Sequence, residues 1–268
     1  MVLDSPLMRK LADYETPLRK VLTLMMKARS FHCSPSLSEI FAENSRLIVA
    51  MSHGTPLGWL PSVALLGVEA LESGGKARIP MGVMDNFFFH VPLIRDLAQW
   101  ITQTERPLSF ADLSERFLNR GDIDLIIFPE GSNCFFGPPD EIQDFRSSRF
   151  VELSIVSGAP ILICAHRGSE NWSLTVPVSK DSVGKLDFLP DGVRGFLEKR
   201  LLKTGLLTLP LWPAPIERFE MRCELYRPQL TAVNLSSEPE MRRQQISEES
   251  QRVHEKMCQL RDQFFLIS

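Results

Sequence analysis

Leu125-Ile126-Ile127-Phe128-Pro129-Glu130-Gly131-Ser132-Asn133 is the stretch on which the fold turns. A short apolar run, too brief for a helix, breaks into a proline, a carboxylate and a glycine, the mark of a buried strand ending in a polar turn. Upstream, Leu47-Ile48-Val49-Ala50-Met51 repeats the design and runs into Ser52-His53-Gly54-Thr55-Pro56. In α/β proteins, strands that deliver polar residues at their C-terminal ends build ligand crevices. Working outward, strands are expected over 46–51, 76–81, 123–128, 159–165, 173–178 and 219–225. Helices are expected over 5–28, 59–73, 92–104, 109–119, 145–157, 191–203 and 238–264. This alternation predicts an α/β fold with a mixed, largely parallel sheet covered by helices on both faces. Beyond the 191–203 helix, the Pro-marked region 184–217 reads as irregular. Its apolar run Leu206–Trp212 fits a buried connector best, with an acyl tunnel or a lipid contact as the alternatives.

A chain of 268 residues with 44% apolar and 24% charged residues fits one α/β domain with appended helices. The net charge of −3 argues against a general nucleic-acid binder, and no glycine-rich phosphate loop supports nucleotide chemistry. Five cysteines without a C-x-x-C spacing favour free thiols in a reducing compartment over disulfides or a zinc site. No apolar stretch reaches the roughly 18 residues of a membrane span. The early Asp4 and Pro6 do not fit a secretory signal. The expected location is cytoplasmic, peripheral on the cytoplasmic face of a membrane.

Residues 1–30 carry six basic against three acidic side chains, although the chain as a whole is acidic. Leu18, Leu22, Met25 and Met26 share one face of a helix at this spacing. A basic amphipathic helix can lie in an anionic lipid interface, and it can equally pack on its own domain with a solvated charged face. The organisation read from sequence is a helix over 1–30 with possible membrane contact, followed by one domain over 31–268.

His53 and Glu130 at two strand ends, with Gly82-Val83-Met84-Asp85-Asn86-Phe87 between them and Ser157-Gly158-Ala159-Pro160 after them, form four blocks in order. This arrangement resembles the glycerolipid and lysophospholipid acyltransferase family, whose first block is NH-x4-D and whose third is F-P-E-G. The His53-Gly54 start and the Asp85-Asn86-Phe87 segment lean toward the branch related to diacylglycerol acyltransferases. Two features depart from the pattern. Gly58 stands where the family has its aspartate, and Ser132-Asn133 replaces the Thr-Arg that follows F-P-E-G. Arg95 is the candidate for the arginine after the second block.

The resemblance implies transfer of a fatty acyl group from acyl-CoA or acyl carrier protein to a hydroxyl of a glycerolipid or lysophospholipid, with no further cofactor and no metal. Acyl transfer needs a base, donors for the oxyanion and aligned substrates. His53 is the base expected from the motif order, and His166, also at a strand end, is its competitor. With Gly58 in the aspartate's place, Asp85, a hydroxyl or a backbone carbonyl is left to orient the ring; Asp85 has the motif-like setting. Glu130 is expected to serve acceptor binding, by contacting glycerol hydroxyls or holding a basic residue in place, or to be a buried carboxylate paired with an arginine that shapes the turn; Gly131 and Ser132 are expected to offer backbone N–H groups to an anion. Arg146 and Arg149, three apart, are expected on one face at the start of a helix, as a phosphate clamp or as surface ion pairs. The alternative reading is a non-catalytic lipid-binding protein that kept the fold and lost the aspartate. A lipid-ester hydrolase would need only water as acceptor.

Overall fold

The computed structural model describes residues 8–90, 92–179, 191–211 and 214–266. In chain order the helices are α1 (Glu15–Met25), α2 (Leu37–Glu43), α3 (Trp59–Glu72), α4 (Pro92–Thr102), α5 (Phe110–Asn119), α6 (Arg149–Ser157), α7 (Asp191–Thr204) and α8 (Pro239–Leu266). The strands are β1 (Met26–Ser34), β2 (Leu47–Met51), β3 (Ile79–Gly82), β4 (Ile123–Ile127), β5 (Ile161–Arg167), β6 (Ser173–Pro177), β7 (Leu206–Pro210) and β8 (Ile216–Tyr226).

Six strands form one sheet in the order β1-β8-β5-β2-β4-β3. β5, β2, β4 and β3 run parallel to one another, β8 runs antiparallel to β5, and β1 lies parallel to β8. The fold is therefore α/β with a mixed, mostly parallel sheet, as the alternation of elements predicts. β2 is buried along its whole length, as a strand covered on both faces must be. Leu47, Val49 and Met51 join Leu162, Cys164 and the inner faces of α1, α2 and α3 in one core layer. Ile48 and Ala50 join Ile161, Ile163 and side chains of α5, α6 and α8 in the other.

The amino-terminal region differs from the expected single helix. A 3-10 turn, Leu11–Tyr14, leads into α1, which gives way at Met26 to β1, and β1 pairs with β8 along its length. Leu18, Leu22 and Met26 lie inside the core beneath α3, where Gly67 lets Leu18 come close. Of the two readings of this apolar face, packing on the domain is the one that Leu18, Leu22 and Met26 follow, and the boundary at residue 30 falls inside a strand. The part of the expected helix before Met8 lies outside the described residues. Among the described residues no helix is long and apolar enough to cross a membrane.

Two further elements depart from expectation. α2 carries a capping box, with Ser36 N–H donating to Glu39 at 2.9 Å and Glu39 N–H donating back to Ser36 at 3.4 Å. The apolar run after α7 forms β7, which pairs antiparallel with β6 through directly opposed Leu174–Leu209 and Thr175–Thr208 pairs. Thr208 donates to the Gly137 carbonyl, which seats this small sheet beside the turn after β4.

Candidate functional site

The four parallel strands release their chains at one edge of the sheet, the end where α/β folds place ligands. His53 follows β2, Glu130 follows β4, Asp85 follows β3, and His166 stands at the end of β5. Residues far apart in sequence therefore meet because parallel strands share a polarity.

Glu130 is fully buried, and both of its oxygens accept backbone N–H groups, from His53 at 2.6 Å and from Gln143 at 2.7 Å. Its carboxyl joins the turn after β2 to the segment after β4 and offers no exposed oxygen to an acceptor, and the groups through which it shapes the turn are these two amides where an arginine was expected. Burial pushes this carboxyl up to about 7, although the two amides pull it down by favouring the charged form. Gly131, at φ +51°, turns the chain in the left-handed region. Its N–H donates to the Phe128 carbonyl at 2.9 Å, so it is not presented to an anion as expected.

His53 is half-buried beside Phe128, with ring centroids 5.2 Å apart. Nδ1 lies 2.9 Å from the Thr55 carbonyl oxygen, which can only accept, so Nδ1 carries the proton and Nε2 the lone pair. Burial lowers the imidazole pKa from its usual value, with the hydrogen bond to Thr55 opposing, so the ring is neutral near pH 7.

The expected Asp85 contact is replaced. Thr55 orients His53, and the Asp85 carboxylate accepts from Arg146 at 2.8 Å. The physical reason is local: the turn after His53 folds back so that one carbonyl receives both the ring and Gly58 N–H, the latter at 2.8 Å. Gly58 is tightly enclosed. A Cβ there would stand 2.5 Å from the His53 carbonyl oxygen and 3.0 Å from the Ser169 hydroxyl.

Arg146 is held by its own N–H on the Pro129 carbonyl, and its guanidinium reaches Asp85 and, at 3.4 Å, the Ser132 hydroxyl. Both members of the Arg146–Asp85 pair are about half exposed. α6 begins only at Arg149, so the two arginines do not share a helical face, and Arg149 lies over the Phe110 ring at 5.3 Å. Arg95 is exposed and pairs with neighbouring Asp96 at 3.7 Å.

His166 is buried, stacked on Phe219, and its Nε2 bonds the Ser52 carbonyl at 3.1 Å. Burial pushes its pKa down to about 4. It lines a cavity of about 10 Å³ together with Ser52, Gly54, Arg167 and Phe264, and among the described residues its Nδ1 has no hydrogen-bond partner. A Cβ on Gly54 would lie 2.9 Å from the His166 ring, which explains glycine there. The sequence reading missed Thr55 and Gln143, which act through backbone groups and leave no side-chain signature.

The chain matches no protein-family model, and no curated protein matches it.

Two outcomes follow. Gly58→Asp is expected to destabilise the fold by about 1–3 kcal/mol through overpacking, rather than to supply a partner for His53. An unchanged urea midpoint for that variant would contradict the enclosure of Gly58. Glu130 has a folded pKa raised from 4.5 to about 7, so its contribution to stability is full below pH 4.5 and is lost as pH rises to about 7. Glu130→Gln should remove that decline, of up to roughly 3 kcal/mol. Parallel stability–pH curves for the two proteins between about pH 4.5 and about 7 would refute the assignment.

Proposed function

We propose that the protein transfers a fatty acyl group from a thioester, acyl-CoA or acyl carrier protein, to a hydroxyl of a glycerolipid or lysophospholipid. The observation that carries this reading is the His53 geometry: a neutral imidazole at a strand end, its tautomer fixed by Thr55, with Nε2 left as the basic nitrogen. In this reading Nε2 takes the acceptor hydroxyl proton while the oxygen attacks the thioester carbonyl. The proton then passes to the departing thiolate. Arg146 is anchored through its backbone and half exposed, so it can exchange the Asp85 carboxylate for an anionic headgroup at little cost, because an exposed ion pair contributes only about 0–1 kcal/mol. His166 is the weaker base, since its Nε2 is committed to Ser52 and its pKa is pushed to about 4.

A non-catalytic lipid-binding protein is the second reading, favoured by the neutral Thr55 carbonyl where the resembled family has a carboxylate. Acyl release from labelled acyl-CoA, with and without lysophosphatidic acid, separates the two. His53→Ala is expected to lower acceptor-dependent release by about 10²–10⁴ while the fold persists. Full activity in folded His53→Ala, or no activity in the native protein with either donor, would sink the proposal.

We also propose peripheral contact with an anionic membrane on the cytoplasmic face. The support is the exposed basic side chains between Arg9 and Arg29, now separated from the buried apolar face of α1. Arg19 pairs with Glu15 and Glu72, whereas Lys20 is exposed and Leu24, one turn on, is 73% exposed. Deleting residues 1–30 would remove core side chains and most of β1, so surface substitution is the cleaner probe. Co-sedimentation with anionic vesicles should fall in the Lys20→Glu/Leu24→Glu variant and in about 0.5 M salt. Equal binding in all arms would refute the contact.

A further inference from the structure

Cys33, Cys223 and Cys164 stand side by side on three neighbouring strands. Cys33 of β1 is in register with Cys223 of β8, and Cys223 with Cys164 of β5. Register partners point to the same face of a sheet, and all three belong to the core layer beneath α1, α2 and α3. Cys223 Sγ lies 3.1 Å from Cys164 Sγ, and Cys33 is its in-register neighbour on the strand to the other side. Neighbouring strands are about 4.8 Å apart, within the roughly 4.4–6.8 Å between Cα atoms that a disulfide spans. A bond across this row therefore asks for side-chain rotation and little backbone movement. Access is graded along it: Cys164 and Cys223 are each 1% exposed, whereas Cys33, on the edge strand, is only partly buried.

We propose that this row is a redox modification site, in which a peroxide enters at Cys33 and a disulfide closes to Cys223. The Cys33 thiolate attacks the peroxide O–O bond, taking one oxygen as a sulfenic acid and releasing the other as water. Cys223 then attacks the Cys33 sulfur, the S–O bond breaks, and the hydroxide leaves with the Cys223 proton as a second water. Two thiols are oxidised and one peroxide is reduced. The Cys164 thiol can next displace Cys33 from Cys223 by exchange, its proton passing to Cys33, which moves the bond into the buried interior. Cys33, partly buried on the edge strand, is the one member of the row open to first contact with the oxidant, since Cys164 and Cys223 are closed off by burial. The row ends next to the candidate site, because the Cys164 carbonyl accepts Ser52 N–H at 2.8 Å, one residue before His53. The inference does not depend on acyl transfer.

The test is treatment of the full chain with hydrogen peroxide under native conditions. Remaining thiols are then alkylated after denaturation, and peptides are mapped without reduction. The expected product is a reductant-reversible disulfide joining the Cys223 peptide to that of Cys33 or Cys164. Cys33→Ser, a near-isosteric change on the partly buried edge strand, should slow its formation about tenfold or more. Cys223→Ala should leave a sulfenic acid at Cys33 that a dimedone probe traps. The proposal is overturned if no Cys223 disulfide forms, whether the chain resists oxidation or Cys134 or Cys258 is modified instead, or if Cys33→Ser oxidises at the native rate.

Discussion

The candidate site depends on one buried carboxylate. Removing a charge from water costs far more than a protein can spare unless hydrogen bonds replace the lost solvation. Glu130 meets that demand only in part, with two backbone amides, one from the turn after β2 and one from the segment after β4, so its pKa stays raised to about 7. Because its two oxygens accept from different segments, the bridge fixes both at once. The Arg146 N–H on the Pro129 carbonyl continues the same weld. From it follow the placement of His53, the approach of Arg146 to Ser132, and the seat of the small β6–β7 sheet against Gly137.

That architecture was legible where burial is symmetric. β2 and β4 sit between two helical layers, so their sequences are apolar on consecutive positions and stand out from any helix. The edge strand β1 carries Lys27, Ala28, Arg29 and Ser30 on exposed positions and shows no such run. Its Met26 also continues the apolar spacing of α1, so the change from helix to strand is set by pairing with β8, about 190 residues away, and not by local preference. β7 was hidden by its prolines. A strand paired on one side tolerates Pro210 because no ladder bond is lost there. α2 was the avoidable miss, since Ser36 and Glu39 spell a capping box within the sequence itself.

The site was legible as positions more than as roles. His53 and Glu130 could be placed at strand ends because the strands could be read. Which partner each takes depends on how turns fold back. Thr55 and Gln143 act through main-chain atoms, which every residue type possesses, so no composition or motif marks them. Asp85 and Arg146 are 61 residues apart, and only the shared polarity of β3 and β4 brings them together. Arg149 could not be separated from Arg146 by spacing, because that argument assumed a helix beginning before both.

A carbonyl beside His53, in place of a carboxylate, has a definite physical consequence. Either acceptor holds Nδ1–H and fixes the tautomer, so the ring can take a proton at Nε2 in both cases. Only a carboxylate also offsets the positive charge that appears on the ring once it has done so. With Thr55 as partner the imidazolium forms against a dipole rather than a charge, and the burial that lowers the His53 pKa makes that form still less favourable. As the base of the proposed acyl transfer, His53 would therefore have the right form but be weak. A carboxylate at position 58 is closed off by the backbone, since its Cβ would meet the His53 carbonyl oxygen at 2.5 Å. The glycine and the carbonyl form one local solution, in which the tight turn that supplies the carbonyl excludes the aspartate. Such a site favours chemistry in which little charge accumulates on the base, as when proton transfer is concerted with attack on an activated thioester.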